Sequence, residues 1–136
     1  MYNVGNVFGI KISGSMDFDE RIKKGFPFSM ARKVQRRLDI PDKDLARILG
    51  VSMSTFRRLK KRKGKLSFVS SDRLYRAAAL FAWAADVLES EEDAREWLTR
   101  PHGLFGHKPP IEVAETEPGS REVENMLGRI RYGIPV

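Results

Sequence analysis

The feature that most restricts the fold of this chain is a pair of short helical patterns that meet at a glycine within residues 42–61, DKDLARILGVSMSTFRRLKK. Gly50 can adopt the positive φ that reverses the chain within a few residues, and Ala46 is small enough for a second helix to cross close above it. This arrangement is typical of a helix-turn-helix. The two helices are predicted to share a small core of Leu45, Leu49, Val51, Phe56 and Leu59.

The second helix of the pair, predicted over residues 52–62, has a polar face opposite Phe56 and Leu59. In DNA-binding helix-turn-helix proteins this face enters the major groove, where arginine can bind both acceptors of a guanine. Seven of the nine residues 57–65, RRLKKRKGK, are basic, which fits contacts with phosphate. We therefore predict double-stranded DNA as a partner. The predicted DNA-binding residues are Ser52, Met53, Ser54, Arg57, Arg58, Lys60, Lys61, Arg62, Lys63 and Lys65.

The charge is distributed unevenly along the chain. Residues 1–76 carry 19 Lys and Arg against 7 Asp and Glu, whereas residues 77–136 carry 6 against 11. A basic half suits phosphate and an acidic half is repelled by it, so the asymmetry indicates two different partners. The alternative is a solvated charged surface that binds nothing.

With 136 residues, the chain can form one domain or two small subdomains that share a core. No stretch alternates as a strand of a sheet would, and the predicted fold class is all-α. Ser29, Ser71, Ser90 and Ser120 are predicted to cap helices, and residues 118–119, Pro-Gly, to break the chain before the last helix. The predicted divisions are a flexible N-terminal arm in 1–25, the helix-turn-helix domain in 26–70, a bridging helix in 71–93 and a small helical domain in 94–136. The alternative for the arm is one short strand around residues 7–12.

Composition disfavours several functions. The longest apolar run, residues 77–85, is shorter than the ~18 residues that indicate a membrane span, and the N-terminus lacks the pattern of a secretory signal. We therefore expect a cytoplasmic protein with no membrane partner. The chain has no cysteine and two histidines, His102 and His107, which are fewer ligands than a zinc site usually has. Ser70 and Ser71 lack a positioned base. We expect no metal, no cofactor and no catalytic residue.

From about residue 21 to the C-terminus, the sequence resembles the Xre/ParS-type antitoxins that neutralise RES-domain toxins. The helix-turn-helix with the following GKLSFVSSDRLYRAAALFAWAADVL resembles the Xre-like part, and AREWLTRPHGLFGHKPPIEVAETEPGSREVENMLGRIRYGIPV resembles the toxin-binding domain. His102 and His107 depart from the family, which often has Asn and Gly at these positions. The family's motif positions in the second block are matched by Trp97, Leu98, Pro101, Leu104, Gly106, Pro110, Thr116, Gly119, Val123, Leu127, Arg129 and Gly133.

The resemblance implies an antitoxin whose C-terminal domain blocks the active site of a cognate RES-type toxin, which has an ADP-ribosyltransferase-like fold and consumes or transfers from NAD. It also implies operator binding that autoregulates the operon, and symmetric operators favour a homodimer or higher oligomer. The alternative is a stand-alone repressor whose C-terminal half senses a small molecule or dimerises. The predicted toxin-binding residues are Leu104, Phe105, Gly106, Lys108, Arg129, Ile130, Arg131, Tyr132 and Gly133.

Overall fold

A computed structural model of the protein describes residues 3–11 and 14–134, and this part of the chain is all-helical, as predicted. This part of the chain also contains two isolated antiparallel β-bridges, one between Pro27 and Lys65 and one between His102 and Lys108. A single 3-10 turn spans Gly103–Phe105. The helices are α1 (Val4–Phe8), α2 (Ser15–Lys24), α3 (Phe28–Leu38), α4 (Asp42–Leu49), α5 (Met53–Arg62), α6 (Phe68–Leu88), α7 (Glu91–Thr99), α8 (Pro110–Val113) and α9 (Glu117–Arg131).

Helix α6 is the centre of the fold. It packs against α1, α2, α3 and α4 from the N-terminal half and against α7 and α9 from the C-terminal half. Phe81 is fully buried in the middle of this helix. Many of the buried side chains of α6 are small, which lets neighbouring helices approach closely on several sides. The buried alanines are Ala77, Ala78, Ala82, Ala84 and Ala85. The predicted long helix that joins the two halves is therefore present.

Helix α6 begins four residues earlier than predicted, counted from N-cap to N-cap. Its N-cap is Ser67, whose side chain accepts a hydrogen bond of 3.1 Å from the main-chain N–H of Ser70. The prediction that Ser71 caps this helix was wrong: Ser71 is fully buried, and its Oγ accepts a hydrogen bond of 2.9 Å from the N–H of Phe26. The proposed boundary between residues 70 and 71 therefore falls inside a continuous helix.

Val4–Phe8 and Ser15–Lys24, which were predicted as part of a flexible arm, are helices. The predicted strand at residues 7–12 was wrong, because Val4–Phe8 is helical; Ile12 lies outside the described residues. The rings of Phe8 and Phe18 are 5.9 Å apart and both side chains are buried. The ring of Phe18 also meets Tyr75 of α6 edge-on at 4.9 Å, so aromatic packing attaches α1 and α2 to the central helix.

Two further helix starts differ from the predictions, and one agrees. Pro27 precedes α3, so Ser29 lies inside the first turn. Thr116 caps α9 by accepting a hydrogen bond of 3.2 Å from the N–H of Gly119; the Pro-Gly pair therefore starts this helix, since proline in a first turn loses no internal hydrogen bond. The predicted cap Ser120 is instead a buried residue of α9. Ser90 caps α7 as predicted, accepting from the N–H of Asp93 at 3.1 Å.

Candidate nucleic-acid and protein interfaces

The turn between α4 and α5 has the predicted geometry. Gly50 has a φ of +72°, and a Cβ at this position would lie 2.8 Å from the Nε of Arg73. The backbone angle therefore favours glycine, and a larger residue would press on the side chain of Arg73. Ala46 is buried, as its position under the second helix predicts. The predicted core is also present, with full burial of Leu45, Leu49 and Phe56 and partial burial of Val51 and Leu59.

Side chains of α6 hold the C-terminal end of α4. The last carbonyls of a helix have no partner within it. Here Ser70 Oγ donates to the carbonyl of Leu49 at 2.7 Å. Arg73 donates from Nε to the carbonyl of Ile48 at 2.8 Å and from Nη2 to that of Arg47 at 3.0 Å. The first helix of the helix-turn-helix is thus fixed to the central helix where the turn begins.

A single carboxylate, that of Asp42, links α3, α4 and α5. Its Oδ1 accepts hydrogen bonds from Arg32 at 2.7 Å and from Gln35 at 2.9 Å, and its Oδ2 lies 3.5 Å from the Nζ of Lys60. The amide of Gln35, followed by the guanidinium of Arg32, lowers the pKa of Asp42 to about 2. The guanidinium of Arg32 also lies over the ring of Phe56 at 5.5 Å, so the cluster orients α5 against its neighbours.

All but one of the predicted DNA-binding residues, which lie on α5 and in the segment after it, are exposed. Ser52 is the N-cap and accepts from the N–H of Thr55 at 3.1 Å. Met53 packs against the core, because it lies three residues before buried Phe56 and so shares that side of the helix. The prediction that Met53 lies on the face opposite Phe56 was therefore wrong. The exposed members of the predicted set are Ser52, Ser54, Arg57, Arg58, Lys60, Lys61, Arg62, Lys63 and Lys65.

Most cations of this surface are free of carboxylates. Lys60 is the exception, through its contact with Asp42. Arg58 is oriented by a hydrogen bond of 3.1 Å from Nη2 to the Oγ1 of Thr55. Unpaired cations that point to solvent are suited to phosphate and to the acceptors of guanine. Within residues 3–11 and 14–134, no carboxylate lies within 4.0 Å of the charged nitrogens of Arg57, Arg58, Lys61, Arg62, Lys63 or Lys65.

The loop at residues 101–109 is folded back on itself. The N–H of His102 donates to the carbonyl of Lys108 at 3.1 Å, and the Nδ1 of His102 accepts from the N–H of Leu104 at 3.3 Å. This side chain thus caps the 3-10 turn, which is a role that Asn at this position could also perform. His107 has a φ of +63°, a left-handed conformation that explains the glycine often found here in the resembling family. The loop therefore keeps a compact shape despite both histidines.

The two apolar residues at the tip of this loop are in different environments. Leu104 is 58% exposed. Phe105 is partly buried and packs against the core, with its ring 6.5 Å from that of Trp97 and 5.5 Å from that of His102. Phe105, which was predicted to bind the toxin, is therefore partly covered by side chains of this protein. Leu104 is the exposed apolar group, and Gly106 and Lys108 are exposed beside it.

The end of α9 forms a second exposed surface in the C-terminal half. Tyr132 is 74% exposed, and Arg129 and Gly133 are also exposed. Ile130 is partly buried, and the guanidinium of Arg131 lies 5.2 Å from the ring centre of Trp83 on α6. The loop thus rests on α7 through Trp97, whereas the end of α9 rests on α6 through Trp83. The predicted toxin-binding residues therefore form two groups with separate supports.

Ion pairs connect the helix-turn-helix to the C-terminal half. Arg47 of α4 lies 2.9 Å from Glu112 of α8 and 3.2 Å from Glu115. The hydrogen bond with Glu112 and the charge of Glu115 raise the pKa of the Arg47 guanidinium above its usual range. Arg73 also donates to the carbonyl of Glu115 at 3.2 Å. Neither arginine was predicted from the sequence, since a residue that binds distant carbonyls or carboxylates leaves no local pattern.

The start of α6 has an exposed apolar pair that was not predicted from the sequence. Phe68 is 54% and Val69 is 64% exposed. Both follow the N-cap Ser67 directly, in a stretch that was assigned to the end of the preceding domain. Along the chain, these two exposed apolar residues closely follow the basic segment that ends at Lys65. Two consecutive large apolar residues immediately after a capping serine are the signal that could have identified them.

The described part of the chain offers neither a metal centre nor a membrane-spanning element. In residues 3–11 and 14–134, no three His, Cys, Asp or Glu side chains are grouped so that they could hold a metal ion. No helix of this part, including the 21-residue α6, is both long and apolar enough to cross a membrane.

Comparison with known proteins divides the chain into two matched segments. Residues 17–79 match the antitoxin Xre-like helix-turn-helix domain, and residues 84–133 match the antitoxin Xre/MbcA/ParS C-terminal toxin-binding domain. Both segments reach into α6, which therefore belongs to each of them.

Similar proteins cover almost all of both segments. Antitoxin Xre of Photorhabdus laumondii is 28% identical over 127 residues, which are 93% of this chain and 86% of that protein. Antitoxin Xre of Yersinia enterocolitica is 25% identical over 127 residues, which are again 93% of this chain and 86% of that protein. Antitoxin Xre of Pseudomonas putida is 27% identical over 123 residues, which are 90% of this chain and 76% of that protein. The similarity to these proteins thus extends along nearly the whole chain.

Proposed function

Because this chain belongs to the Xre antitoxin family, with a helix-turn-helix followed by an Xre/MbcA/ParS toxin-binding domain, we propose that it neutralises a cognate toxin and represses its own operon. The observation that carries the proposal is the presence of two separate exposed surfaces of different chemistry on one folded chain. The face of α5 is cationic and unpaired, whereas the C-terminal half presents Leu104 and Tyr132. One surface suits nucleic acid, and the other suits a protein.

The proposed toxin is a RES-domain protein with an ADP-ribosyltransferase-like fold that consumes or transfers from NAD. This identity is supported by the resemblance of residues 94–136 to antitoxins of that class. Leu104 on its compact loop is the proposed apolar anchor, since little conformational freedom remains to be lost there on binding. Arg129 and Tyr132, at the end of α9, are the proposed groups that block the toxin's active site. Arg and Tyr are frequent hot spots of interfaces. This chain itself has no proposed catalytic role.

The proposed DNA ligand is an operator in the promoter of the chain's own operon. Arg57 and Arg58 are the proposed base-reading residues, because they lie exposed within the first two turns of α5, and the N-terminal part of such a helix meets base edges. Lys61, Arg62, Lys63 and Lys65 are the proposed phosphate contacts. Binding as a homodimer is proposed, since one such motif contacts few base pairs. The exposed pair Phe68 and Val69, next to this surface, supports such an assembly. A cytoplasmic location follows from this role.

The proposal is tested by expressing the product of the adjoining reading frame alone and together with the full chain. We expect the neighbour to stop growth and lower cellular NAD, and the full chain to restore both. The double variant Arg57→Ala, Arg58→Ala should restore growth equally well but lose operator binding in a gel-shift assay. The variant Leu104→Glu should show the opposite behaviour, with normal operator binding and no rescue.

The outcomes separate the proposed activities. Growth arrest that the full chain does not relieve would contradict toxin neutralisation by this protein. Relief of arrest without a change in NAD would contradict the NAD-consuming class of toxin. A neighbour that is harmless, combined with strong operator binding by the chain, would instead support a stand-alone repressor.

A further inference from the structure

The basic surface of the helix-turn-helix continues onto a residue outside it, Lys24 at the end of α2. We propose that Lys24 contacts a DNA phosphate together with Lys65, so that the N-terminal helices contribute to the DNA-binding surface. The inference rests on the DNA binding proposed above and adds a contact from a different part of the chain. It is carried by the way in which residues 25–28 pair with residues 64–66.

These two segments run side by side as a short antiparallel pair. The N–H of Phe28 donates to the carbonyl of Gly64 at 3.1 Å, and the N–H of Leu66 donates to the carbonyl of Phe26 at 2.8 Å. Pro27 lies opposite Lys65 in this pair. The chain that leaves α2 is therefore hydrogen-bonded to the chain that leaves α5. This pairing joins the last turn of α2, which is basic, to the segment that follows α5.

Gly25 shows how close the two segments are. A Cβ on Gly25 would lie 2.3 Å from the carbonyl oxygen of Leu66 and 3.7 Å from the Cβ of Lys65, and its φ is +90°. Only glycine allows this approach. Lys24 immediately precedes this contact, so its backbone is one residue away from the point where α2 meets the segment of Lys65.

The backbone that carries Lys24 is anchored. The N–H of Phe26 donates to the Oγ of buried Ser71 in α6, and the side chain of Phe26 is itself buried. At the other side of Lys24, the ring of Phe18 packs on Tyr75 of α6. An anchored backbone loses little conformational freedom when its lysine binds, which favours a contact over a freely moving tail.

The charge pattern distinguishes Lys24 from its neighbour. Lys23 lies 2.9 Å from Asp19, whereas Lys24 is exposed and, among residues 3–11 and 14–134, has no carboxylate within 4.0 Å. Lys63 and Lys65 are exposed and unpaired in the same way. A lysine ammonium group acts as a point charge and lacks the bidentate geometry of arginine. It is therefore better suited to a phosphate than to the edge of a base. The continuity of these lysines with the cationic face of α5 indicates duplex DNA as their partner.

The experiment measures the salt dependence of binding to a random-sequence duplex by fluorescence anisotropy, using the full chain. Each phosphate contact contributes about −0.9 to the slope of log K against log salt concentration. We expect Lys24→Gln and Lys65→Gln each to make the slope less steep by about 0.9, and the double variant by about 1.8. The matched control is Lys23→Gln, which removes the same charge from a residue already paired with Asp19 and should leave the slope unchanged. Circular dichroism checks that all variants remain folded.

The possible results separate this inference from the proposed function. A normal slope for Lys24→Gln, with a reduced slope for Lys65→Gln, would overturn the contact at Lys24 and leave DNA binding by the helix-turn-helix intact. Equal reductions for Lys23→Gln and Lys24→Gln would also overturn it, because the effect would then report net charge alone. If the wild-type chain binds neither the random duplex nor its own promoter, the proposed DNA binding fails and this inference fails with it.

Discussion

Arg73 of α6 donates a hydrogen bond of 2.8 Å from its Nε to the main-chain carbonyl of Ile48 in α4. The same guanidinium reaches the carbonyls of Arg47 at 3.0 Å and of Glu115 at 3.2 Å. One side chain thus satisfies the end of the first helix-turn-helix helix and attaches the C-terminal half to it. Because Arg47 is also paired with Glu112, the two halves of the chain meet through a connected set of polar contacts.

The first prediction concerns this contact. Arg73→Ala should lower the free energy of unfolding by about 1–3 kcal/mol, because three carbonyls lose a charged donor. Arg73→Lys should recover only part of the loss, since an ammonium group lacks the planar fork that reaches several acceptors. Urea denaturation gives the measurement. Arg76→Ala is the matched control. Among the described residues Arg76 pairs with Asp72 of the same helix alone, and the effect of its loss should stay within about 0.5 kcal/mol. Equal losses for Arg73→Ala and Arg76→Ala would contradict the assigned role.

The second prediction concerns the pH dependence of stability at Asp42. Its hydrogen bonds with Gln35 and Arg32 lower the pKa of this carboxyl to about 2 in the folded chain. A lowered folded-state pKa adds stability above the unfolded-state value near 4, and this stability is lost as the pH falls through about 2. Asp42→Asn should therefore be less stable than the wild type at neutral pH, and the difference should shrink between about pH 4 and pH 2.

Parallel urea titrations of the two proteins across this pH range provide the test. Asp44→Asn is a suitable control, because it removes a carboxylate from the same first turn of α4. Among the described residues, the carboxylate of Asp44 has no ion pair within 4.0 Å. A difference between wild type and Asp42→Asn that stays constant with pH would contradict the proposed linkage.

The third prediction concerns the core of α6. Phe81 is fully buried in the helix that packs against both halves, so Phe81→Ala should cost about 3–5 kcal/mol. Denaturant unfolding followed by circular dichroism measures the loss. Phe68→Ala in the same helix is the control, because Phe68 is 54% exposed and its truncation should cost less than about 1 kcal/mol. A loss below about 1 kcal/mol at Phe81 would show that this side chain does not fill the shared core.

Local rules were sufficient to predict the helix-turn-helix. Gly50, Ala46 and the apolar spacing around Phe56 act within twenty residues, so the sequence pattern and the structure agree there. The N-terminal helices could not be predicted in this way. Helix α1 is only five residues long, and its buried side chain Phe8 finds its partners Phe18 and Phe26 by tertiary packing. Such short helices depend on tertiary contacts rather than on propensity.

The candidate surfaces also combine features that follow from the local sequence with features that depend on tertiary packing. The exposed cations of α5 follow from helical geometry once the position of buried Phe56 is known. The different environments of Leu104 and Phe105 do not, since neighbouring residues in a loop have no fixed period. Trp97 decides which of the two is covered, and Trp97 comes from a different helix. Lys24 was missed for a related reason, because its position beside Lys65 depends on pairing between segments about forty residues apart.

The last prediction separates Leu104 from Phe105 by two measurements. Phe105→Ala should lower the melting temperature, because its ring packs against Trp97 and His102, and a loss of about 1–3 kcal/mol is expected for a partly buried aromatic side chain. Leu104→Ala should leave the melting temperature nearly unchanged, since this side chain is 58% exposed. Toxin binding should respond in the opposite order: Leu104→Ala weakens it without unfolding, and the conservative change Phe105→Leu preserves it by keeping the loop packed. Thermal unfolding of each full-length variant, together with pull-down of the co-expressed toxin, measures both effects. Normal toxin capture by Leu104→Ala would contradict the anchor role of Leu104, and an unchanged melting temperature for Phe105→Ala would contradict its place in the core.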